Sequence, residues 1–239
     1  MMPSKSTVAF SLVFLSLFGA RSSAQESRPI AKRSLDKGGY NNVASSNGKY
    51  DFAALSSNNT CLTYLGNGSW TFTQQPTLQT GPQGTLYADH SVVVGDFNGD
   101  NKPDLSMCDQ GSNTISVYLG KGDGTFGTRA TYLVGTNPLA IALLDYNQDG
   151  QLDLAVANEG SNNVSIVRGN GLGGFTLAQT ISVGASPMGI AAGDLNRDGY
   201  VDIVTANWDG RNISILYGSS SKAFSTAHRS LYGAADGRN

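Results

Sequence analysis

Apolar side chains in this sequence occur in short runs, separated by clusters of Gly, Asn, Asp and Ser. Between Pro138 and Gly184 there are four such runs, each four to nine residues long, at 139–144, 152–157, 164–167 and 175–183. Short apolar runs bounded by turn-forming residues predict β-strands. No stretch after residue 45 keeps apolar residues at i, i+3, i+4 and i+7 over the length of a helix. The pattern therefore predicts an all-β fold from residue 46 onward.

The strand pattern repeats along the chain. Nine-residue acidic segments begin at Asp96, Asp145 and Asp194, and both intervals are 49 residues. A weaker first copy is offset by 54 residues, because Tyr64 and the glycines after it correspond to Tyr118 and those after it. Four strands in a repeat of ~40–50 residues are typical of a β-propeller blade. A stacked solenoid is the structural alternative, although its repeats are usually shorter.

The predicted repeat region is 46–239. It divides into a degenerate first repeat at 46–87, a second at 88–136, a third at 137–185, and a fourth at 186–239 that includes the start of a truncated fifth. About four ~49-residue, four-stranded repeats are fewer than most propellers contain. We therefore expect either an open arc, self-association through open blade edges, or a continuation of the chain, because unpaired strand edges tend to associate.

The first 24 residues have the pattern of a secretory signal peptide. Lys5 precedes an apolar stretch at 8–19, and small residues follow at 22–24. A membrane anchor is the alternative, but twelve apolar residues are fewer than the ~20 that span a bilayer. Residues 25–45 are polar and lack periodicity, which predicts a linker. The expected protein is secreted and extracellular, with no membrane span.

Each acidic segment places side-chain oxygens at alternate positions. Positions 1, 3, 5 and 9 are Asp, Asn, Asp and Asp in all three copies: Asp96, Asn98, Asp100 and Asp104; Asp145, Asn147, Asp149 and Asp153; Asp194, Asn196, Asp198 and Asp202. Position 7 varies between Lys102, Gln151 and Tyr200, and is expected to contribute its backbone carbonyl. Hard oxygen donors in a flexible arrangement suit Ca²⁺ better than Mg²⁺ or Zn²⁺. The sequence predicts about three Ca²⁺ ions, and we call 96–104, 145–153 and 194–202 the first, second and third acidic loops.

Clusters of Asp, Asn and Gly can also form ordinary turns. Three copies in register hold nine of the 18 acidic residues of the chain, however. Crowded carboxylates repel one another unless a cation neutralises them. An EF-hand is excluded because its loop closes with a Glu at position 12 between helices, whereas these loops close with Asp at position 9 between predicted strands.

Composition excludes several other function classes. Only 14% of residues are charged, the formal net charge is −2 and the pI is about 5.6, which argues against nucleic acid as a partner. The chain has two His and two Cys, too few for histidine-based chemistry or a Cys-rich zinc module. Cys61 and Cys108 leave a disulfide between repeats open, because an oxidising compartment permits one.

The acidic loops, the apolar strand after each one and the Gly-rich turn ending in Phe126, Phe175 or Phe224 resemble FG-GAP/VCBS repeats. Such repeats form the blades of the integrin α-subunit propeller and of many secreted proteins. The resemblance implies that each loop joins the first two strands of a blade and holds a structural Ca²⁺ there. The first repeat keeps only Asp51 of this motif and is not expected to bind.

The resemblance implies a secreted calcium-binding module that acts in binding or adhesion, with an extracellular protein or a glycan as its ligand. A lyase or hydrolase on a propeller scaffold is the first alternative, since the fold alone does not decide function. No nucleophile elbow and no catalytic Cys/His arrangement occurs in the sequence, so an enzyme is not expected. A fragment of a larger adhesion receptor is the second alternative.

Three acidic residues outside the loops, Asp109, Glu159 and Asp209, are expected in solvated turns. Sequons begin at Asn58, Asn67, Asn163 and Asn212, and the last two are expected to be the most exposed because they occupy equivalent turns.

Overall fold

A computed structural model describes residues 42–44, 50–56, 60–69, 71–82 and 92–230. The predicted signal peptide, 1–24, lies outside the described residues, as does most of the predicted linker. Within these ranges, seventeen β-strands form four antiparallel sheets that follow one another along the chain. The described residues contain no α-helix; a single turn of 3-10 helix covers Gln110–Ser112. The all-β prediction is confirmed.

The strands are assigned to sheets in chain order. Sheet 1 contains β1 (Asn42–Ala44), β2 (Tyr50–Ser56), β3 (Thr60–Gly66), β4 (Phe72–Gln74) and β5 (Leu78–Gln79). Sheet 2 contains β6 (Val92–Gly95), β7 (Asp104–Asp109), β8 (Thr114–Tyr118) and β9 (Ala130–Leu133). Sheet 3 contains β10 (Pro138–Leu144), β11 (Asp153–Asn158), β12 (Asn163–Gly169) and β13 (Phe175–Ser182). Sheet 4 contains β14 (Pro187–Gly193), β15 (Asp202–Asn207), β16 (Asn212–Tyr217) and β17 (Ser225–Ser230).

Sheets 2, 3 and 4 are four-stranded meanders in which each strand pairs with the next one in sequence. Sheet 1 departs from the predicted four strands, because β5 pairs with β3 beside β4 and makes a fifth. It also begins at Asn42, inside the segment predicted as a linker. In sheets 2, 3 and 4 the acidic loop connects the first strand to the second, as the resemblance implied.

Three apolar clusters hold the neighbouring sheets face to face. Cys61 of sheet 1 packs with Val92, Leu105 and Met107 of sheet 2 in the first cluster. The opposite face of sheet 2 packs on sheet 3, and the opposite face of sheet 3 packs on sheet 4. Each sheet buries both faces only where it has a neighbour on both sides. None of the three clusters joins sheet 4 to sheet 1, so the described sheets form an open row.

The two cysteines are buried and unbridged. Cys61 lies between sheets 1 and 2, whereas Cys108 faces sheet 3 from the other side of sheet 2. Burial raises the pKa of the Cys61 thiol to about 12, and it raises the pKa of Cys108 as well. Both residues therefore act as small apolar core residues, and the disulfide left open by the sequence is not formed. Among the described residues, no helix has the length and apolar character of a membrane span.

Candidate metal centres

The first carboxylate of each acidic loop folds the loop around itself. In the second loop, Asp145 accepts the backbone N–H of Asp149 at 3.1 Å through Oδ1 and that of Gly150 at 2.9 Å through Oδ2. Asp96 and Asp194 make the corresponding two bonds in the other loops. Short polar side chains commonly bond to backbone groups a few residues ahead in this way. All three loops therefore share one backbone fold.

The side chains at positions 3 and 5 of each loop also accept hydrogen bonds from the backbone two residues ahead. Asn147 Oδ1 accepts the N–H of Asp149 at 2.9 Å, and Asp149 Oδ1 accepts the N–H of Gln151 at 2.9 Å. The same two bonds recur in the first and third loops. The side chains at positions 1, 3 and 5 are thereby gathered on one short turn, and the backbone of position 7 closes it.

Each loop contains two residues in the left-handed region. Position 6 has φ of 61° at Asn101, 79° at Gly150 and 87° at Gly199, as the Gly and Asn there predict. Position 4 is also left-handed, with φ of 75° at Gly99, 58° at Gln148 and 63° at Arg197. Sequence reasoning missed position 4, because Gln and Arg carry no signal for this conformation.

The Asp at position 9 has a contact set that the sequence did not predict. Asp153 is fully buried, and it accepts the N–H of Gly169 at 2.9 Å through Oδ1 and that of Tyr146 at 3.1 Å through Oδ2. Asp104 and Asp202 are equally buried and make the same two bonds, to Gly120 and Phe97 and to Gly218 and Leu195. This carboxylate ties the start of its acidic loop to the end of the third strand. Because a carboxylate oxygen has two lone pairs, one on each oxygen is left for another ligand.

The glycine that faces position 9 has no room for a side chain. A Cβ built on Gly169 would lie 2.2 Å from the carbonyl oxygen of Leu152, and one on Gly120 would lie 2.0 Å from that of Pro103. Such contacts are well inside van der Waals distance. The glycines repeated at 49-residue intervals are therefore required by the close approach of the third strand to the acidic loop.

Burial and mutual repulsion perturb two of the three carboxylates at position 9. Desolvation is the main cause that raises the pKa of Asp153 from 3.8 to about 7, and repulsion from the nearby carboxylates of Asp149 and Asp145 contributes to the same rise. Desolvation likewise raises the pKa of Asp104 to about 6, with added repulsion from Asp100 and Asp96. The backbone N–H bonds act in the opposite direction but do not outweigh the burial. These two loops thus hold three carboxylates close enough to repel one another.

Two of the position-5 carboxylates have a cationic neighbour. Lys102 Nζ lies 3.1 Å from Asp100 Oδ2, and Arg168 Nη2 lies 3.1 Å from Asp149 Oδ2. Both cations are substantially exposed, so these pairs are weak. Within the described chain, Asp198 of the third loop has no such ion pair. A metal ion would face competition from a side-chain cation in the first two loops but not in the third.

The donor set suits a hard cation only if amide and backbone oxygens take part. Across the described residues, no three Asp, Glu, His or Cys side chains are arranged to hold a metal by themselves. The predicted set combines carboxylates at 1, 5 and 9 with an Asn oxygen at 3 and a carbonyl at 7. Ca²⁺ accepts six to eight oxygens of mixed type with flexible geometry, so this set fits Ca²⁺.

The expectation that Asp109 is solvated is wrong. Its carboxylate is fully buried and accepts bonds from Arg129 Nη2 at 2.9 Å, Ser116 Oγ at 2.5 Å and the N–H of Gly81 at 2.7 Å. Glu159 is half-buried and accepts a bond from Asn137 at 2.5 Å, while Asp209 is exposed. A buried Asp whose partner lies 20 residues away cannot be recognised from local sequence.

The expected order of exposure among the sequons is also wrong. The side chains of Asn163 and Asn212 are only partly exposed, and each accepts a bond from a buried Asn, at 2.8 and 2.7 Å respectively. Asn67, in contrast, is exposed on the turn after β3. Asn58 lies outside the described residues.

Solved structures share the fold. The chain is similar to a functionally unknown protein from Desulfotomaculum acetoxidans, at 16% identity and a TM-score of 0.55 over 78% of this chain and 54% of that one. It is similar to BBS1N in complex with ARL6DN, at 14% identity and a TM-score of 0.53 over 79% of this chain and 54% of that one. A protein from Lactobacillus plantarum matches at 16% identity and a TM-score of 0.54, over 75% of this chain and 54% of that one. The chain thus spans about half the length of the structures it matches.

No curated protein matches the chain. The family model of the FG-GAP-like repeat, in contrast, matches three times, at residues 45–107, 96–156 and 145–205. The matches overlap and begin 51 and 49 residues apart, and each includes at least one complete acidic loop. Together they cover about two thirds of the 239 residues. The chain belongs to the FG-GAP-like repeat family, and its four consecutive sheets are propeller-type blades.

Proposed function

We propose that the protein is a secreted, calcium-stabilised binding module whose three acidic loops each hold one structural Ca²⁺. The observation that supports this most directly is that the same four backbone hydrogen bonds recur in the three loops at 49-residue intervals, with an Asp, Asn, Asp arrangement at positions 1, 3 and 5. Ordinary turns need one such side chain to form. Three oxygen-bearing side chains on one turn, repeated three times, favour cation binding.

The ion would neutralise the carboxylates that now repel one another. Asp145, Asn147 and Asp149 would supply side-chain oxygens, Gln151 its carbonyl and Asp153 the lone pairs that its backbone bonds leave free. The Ca²⁺ supplies positive charge and a fixed coordination shell, and no reaction is assigned to it. Its contribution is to hold together the first and second strands of sheets 2, 3 and 4.

A binding function rather than catalysis is supported by the resemblance of the repeats to adhesion-type blades. Export is supported by the signal-peptide pattern at 1–24. An extracellular protein or a glycan is the proposed ligand class, from the resemblance to adhesion-type blades. A glycan array and a panel of extracellular matrix proteins, each probed with calcium and with chelator, test this class. Binding to none of them would contradict the proposed ligand class.

Terbium luminescence tests the metal sites separately from any ligand. Tb³⁺ replaces Ca²⁺ at oxygen sites and is excited through nearby tyrosines, which the second and third loops supply as Tyr146 and Tyr200. We expect saturable emission that Ca²⁺ displaces and that Asp149→Ala and Asp198→Ala each reduce. Asp123→Ala is the matched control, because Asp123 is an exposed turn residue outside the loops. Emission unaffected by both loop variants would contradict calcium binding at these loops.

A further inference from the structure

The two ends of the row of sheets expose apolar faces that are covered between inner sheets. On sheet 4, the face turned away from sheet 3 contains Leu195, Val204, Ala206, Ile213 and Ile215. Leu195 is 54% exposed, Ala206 is exposed and the other three are partly exposed. Their counterparts 49 residues earlier on sheet 3 include Ala155, Ala157, Val164 and Ile166, all at 0% exposure. The difference arises because sheet 4 covers sheet 3, whereas the described chain has no further sheet to cover sheet 4.

Sheet 1 has an uncovered face at the other end of the row. Phe52 stacks on Tyr64 with centroids 4.5 Å apart and meets Phe72 edge-on at 5.0 Å. Phe72 is 43% exposed and Tyr64 is partly exposed. The counterpart of Tyr64 on sheet 2, Tyr118, is only 5% exposed and donates its hydroxyl to the carbonyl of Gln79 on sheet 1 at 2.5 Å. The outer face of sheet 1 is therefore similar in composition to the face of sheet 2 that packs on a neighbouring sheet.

The interfaces between sheets 2 and 3 and between sheets 3 and 4 share one aromatic contact, and its two halves are left without a partner at the two ends of the described row. The residue at position 2 of an acidic loop packs against the Phe that ends the Gly-rich turn of the next sheet. Phe97 meets Phe175 edge-on at 5.3 Å, and Tyr146 stacks with Phe224 at 6.5 Å. Leu195 is the next position-2 residue, and Phe72 is the earliest Phe of this series. Each is exposed at its own end of the row.

We propose that a second copy of this chain supplies both missing neighbours. Sheet 4 of one copy packs on sheet 1 of the other, with Leu195 against Phe72, and the same contact forms again at the second junction. Because the two faces differ, the contact is head-to-tail, and such contacts close into a ring when the rotation allows it. Two copies give eight sheets, which is at the upper end of the ~4–8 blades typical of propellers.

The composition of the two end faces and the length of the matched structures both support a second copy of the chain as the missing neighbour. The eight residues named on the two faces are all uncharged. The register pairs Arg229 with Ile213, which places one charged residue on the sheet 4 face, on the outermost strand. The matched region fills 54% of each solved structure described above, so the four sheets amount to about half of such a chain. A second copy supplies the remaining half through a type of contact that this chain already makes between its inner sheets. The proposal does not depend on calcium binding.

Sedimentation equilibrium of the purified protein, in calcium and in chelator, measures the assembly. We expect a species of two chains. Leu195→Glu and Phe72→Glu should each weaken dimerisation at least ~100-fold, because each variant damages both junctions of the ring and a tenfold loss at each junction multiplies. Leu133→Glu is the matched control, since Leu133 is 72% exposed on the inner sheet 2 and should leave the dimer intact. Both test residues are exposed, so the variants should keep the β-sheet circular dichroism of the parent.

Mixing Leu195→Glu with a Phe72→Lys variant distinguishes a head-to-tail ring from other assemblies. Leu195→Glu retains an intact sheet 1 face and Phe72→Lys retains an intact sheet 4 face, so between them one junction is the native contact and the other pairs the introduced carboxylate with the introduced ammonium. We expect heterodimers at concentrations where each variant alone is a monomer. A wild-type monomer at all concentrations, oligomers that grow with concentration, dissociation by only one of the two variants, or no recovery on mixing would each overturn the proposal. The first of these results would favour coverage of the faces by other segments of this chain or of a longer one.

Discussion

The carboxylate of Asp51 accepts the backbone N–H of Gly66 at 2.8 Å, in the one sheet that has no acidic loop. The bond is the same one that position 9 makes in the other sheets, where Asp153 holds Gly169 at 2.9 Å. Its presence without an acidic loop shows that this Asp supports the sheet itself. The Asp at this place thus binds the end of the third strand in all four sheets, and any calcium contact in sheets 2, 3 and 4 is additional.

Replacing Asp51 should destabilise the protein without changing its calcium content. Asp51→Ala leaves the buried N–H of Gly66 without this acceptor, and the loss of such a bond costs ~1–3 kcal/mol. Urea unfolding should show a similar loss in calcium and in chelator. A loss that disappears in chelator would contradict the structural role assigned to this Asp.

The buried ion pair of sheet 2 should tolerate double replacement better than single replacement. Arg129→Ala leaves the carboxylate of Asp109 buried without its cation, which typically costs ~3–5 kcal/mol. Asp109→Asn together with Arg129→Ala recreates the combination found 49 residues later, Asn158 with Ala178. We expect the double variant to recover most of the lost free energy of unfolding. A double variant as unstable as Arg129→Ala would contradict this interpretation, since the buried Asn should find the acceptors that its counterpart uses.

Stability in the absence of calcium should fall as the pH rises toward neutral. The folded-state pKa values of Asp104 and Asp153 are raised from 3.8 to about 6 and about 7, so the folded protein resists ionising these groups. The unfolded chain ionises them freely, and the free energy of unfolding therefore decreases as the pH rises from 3.8 to about 7. Calcium should oppose this fall, because a cation favours the ionised carboxylates. Chemical denaturation at several pH values measures the slope, which Asp153→Asn should reduce; a slope unaffected by that variant would contradict the assignment.

Much of the fold could be predicted from the sequence because its signals are local and repeated. The runs at 139–144 and 164–167 coincide with β10 and β12, and the 49-residue period located each acidic loop between the first two strands. β5 was missed because a two-residue strand, Leu78–Gln79, has no pattern of its own. The burial of Asp109 was missed because its neutralising partner, Arg129, lies outside any local window.

The candidate sites were predicted in composition but not in bonding. The polar residues at alternate positions of each loop identified the possible oxygen donors. The pattern does not show which group each of these oxygens contacts. Asp153 gives one lone pair on each oxygen to the backbone of Tyr146 and Gly169, contacts that depend on how the third strand returns to the loop. The left-handed conformation of Gln148 could not be predicted from its residue type either. It accompanies the hydrogen bonds that Asp145 accepts from the backbone of Asp149 and Gly150.

Position 5 of an acidic loop should matter for calcium, and an exposed Asp elsewhere should not. Asp149→Ala removes a proposed ligand and the carboxylate that closes the turn through Gln151. Asp123→Ala removes an exposed carboxylate that bonds only within its own turn, to Thr125. Thermal melts in calcium should show a lower melting temperature for the first variant than for the second. In chelator the difference between the two variants should shrink, and a difference that is the same in both buffers would contradict a ligand role for Asp149.

Calorimetric titration of calcium into the metal-free protein, paired with thermal melts in calcium and in chelator, decides whether the acidic loops bind calcium. Three acidic loops predict about three bound ions. A site with a dissociation constant of ~10 μM gains about 2.7 kcal/mol when calcium is at 100 times that concentration, so three sites would contribute as much as the net stability of a small domain. We predict binding of about three ions and a clearly higher melting temperature in calcium. Equal melting temperatures in both buffers with no bound ions would contradict the account, and would mean that the loops are hydrogen-bonded turns alone.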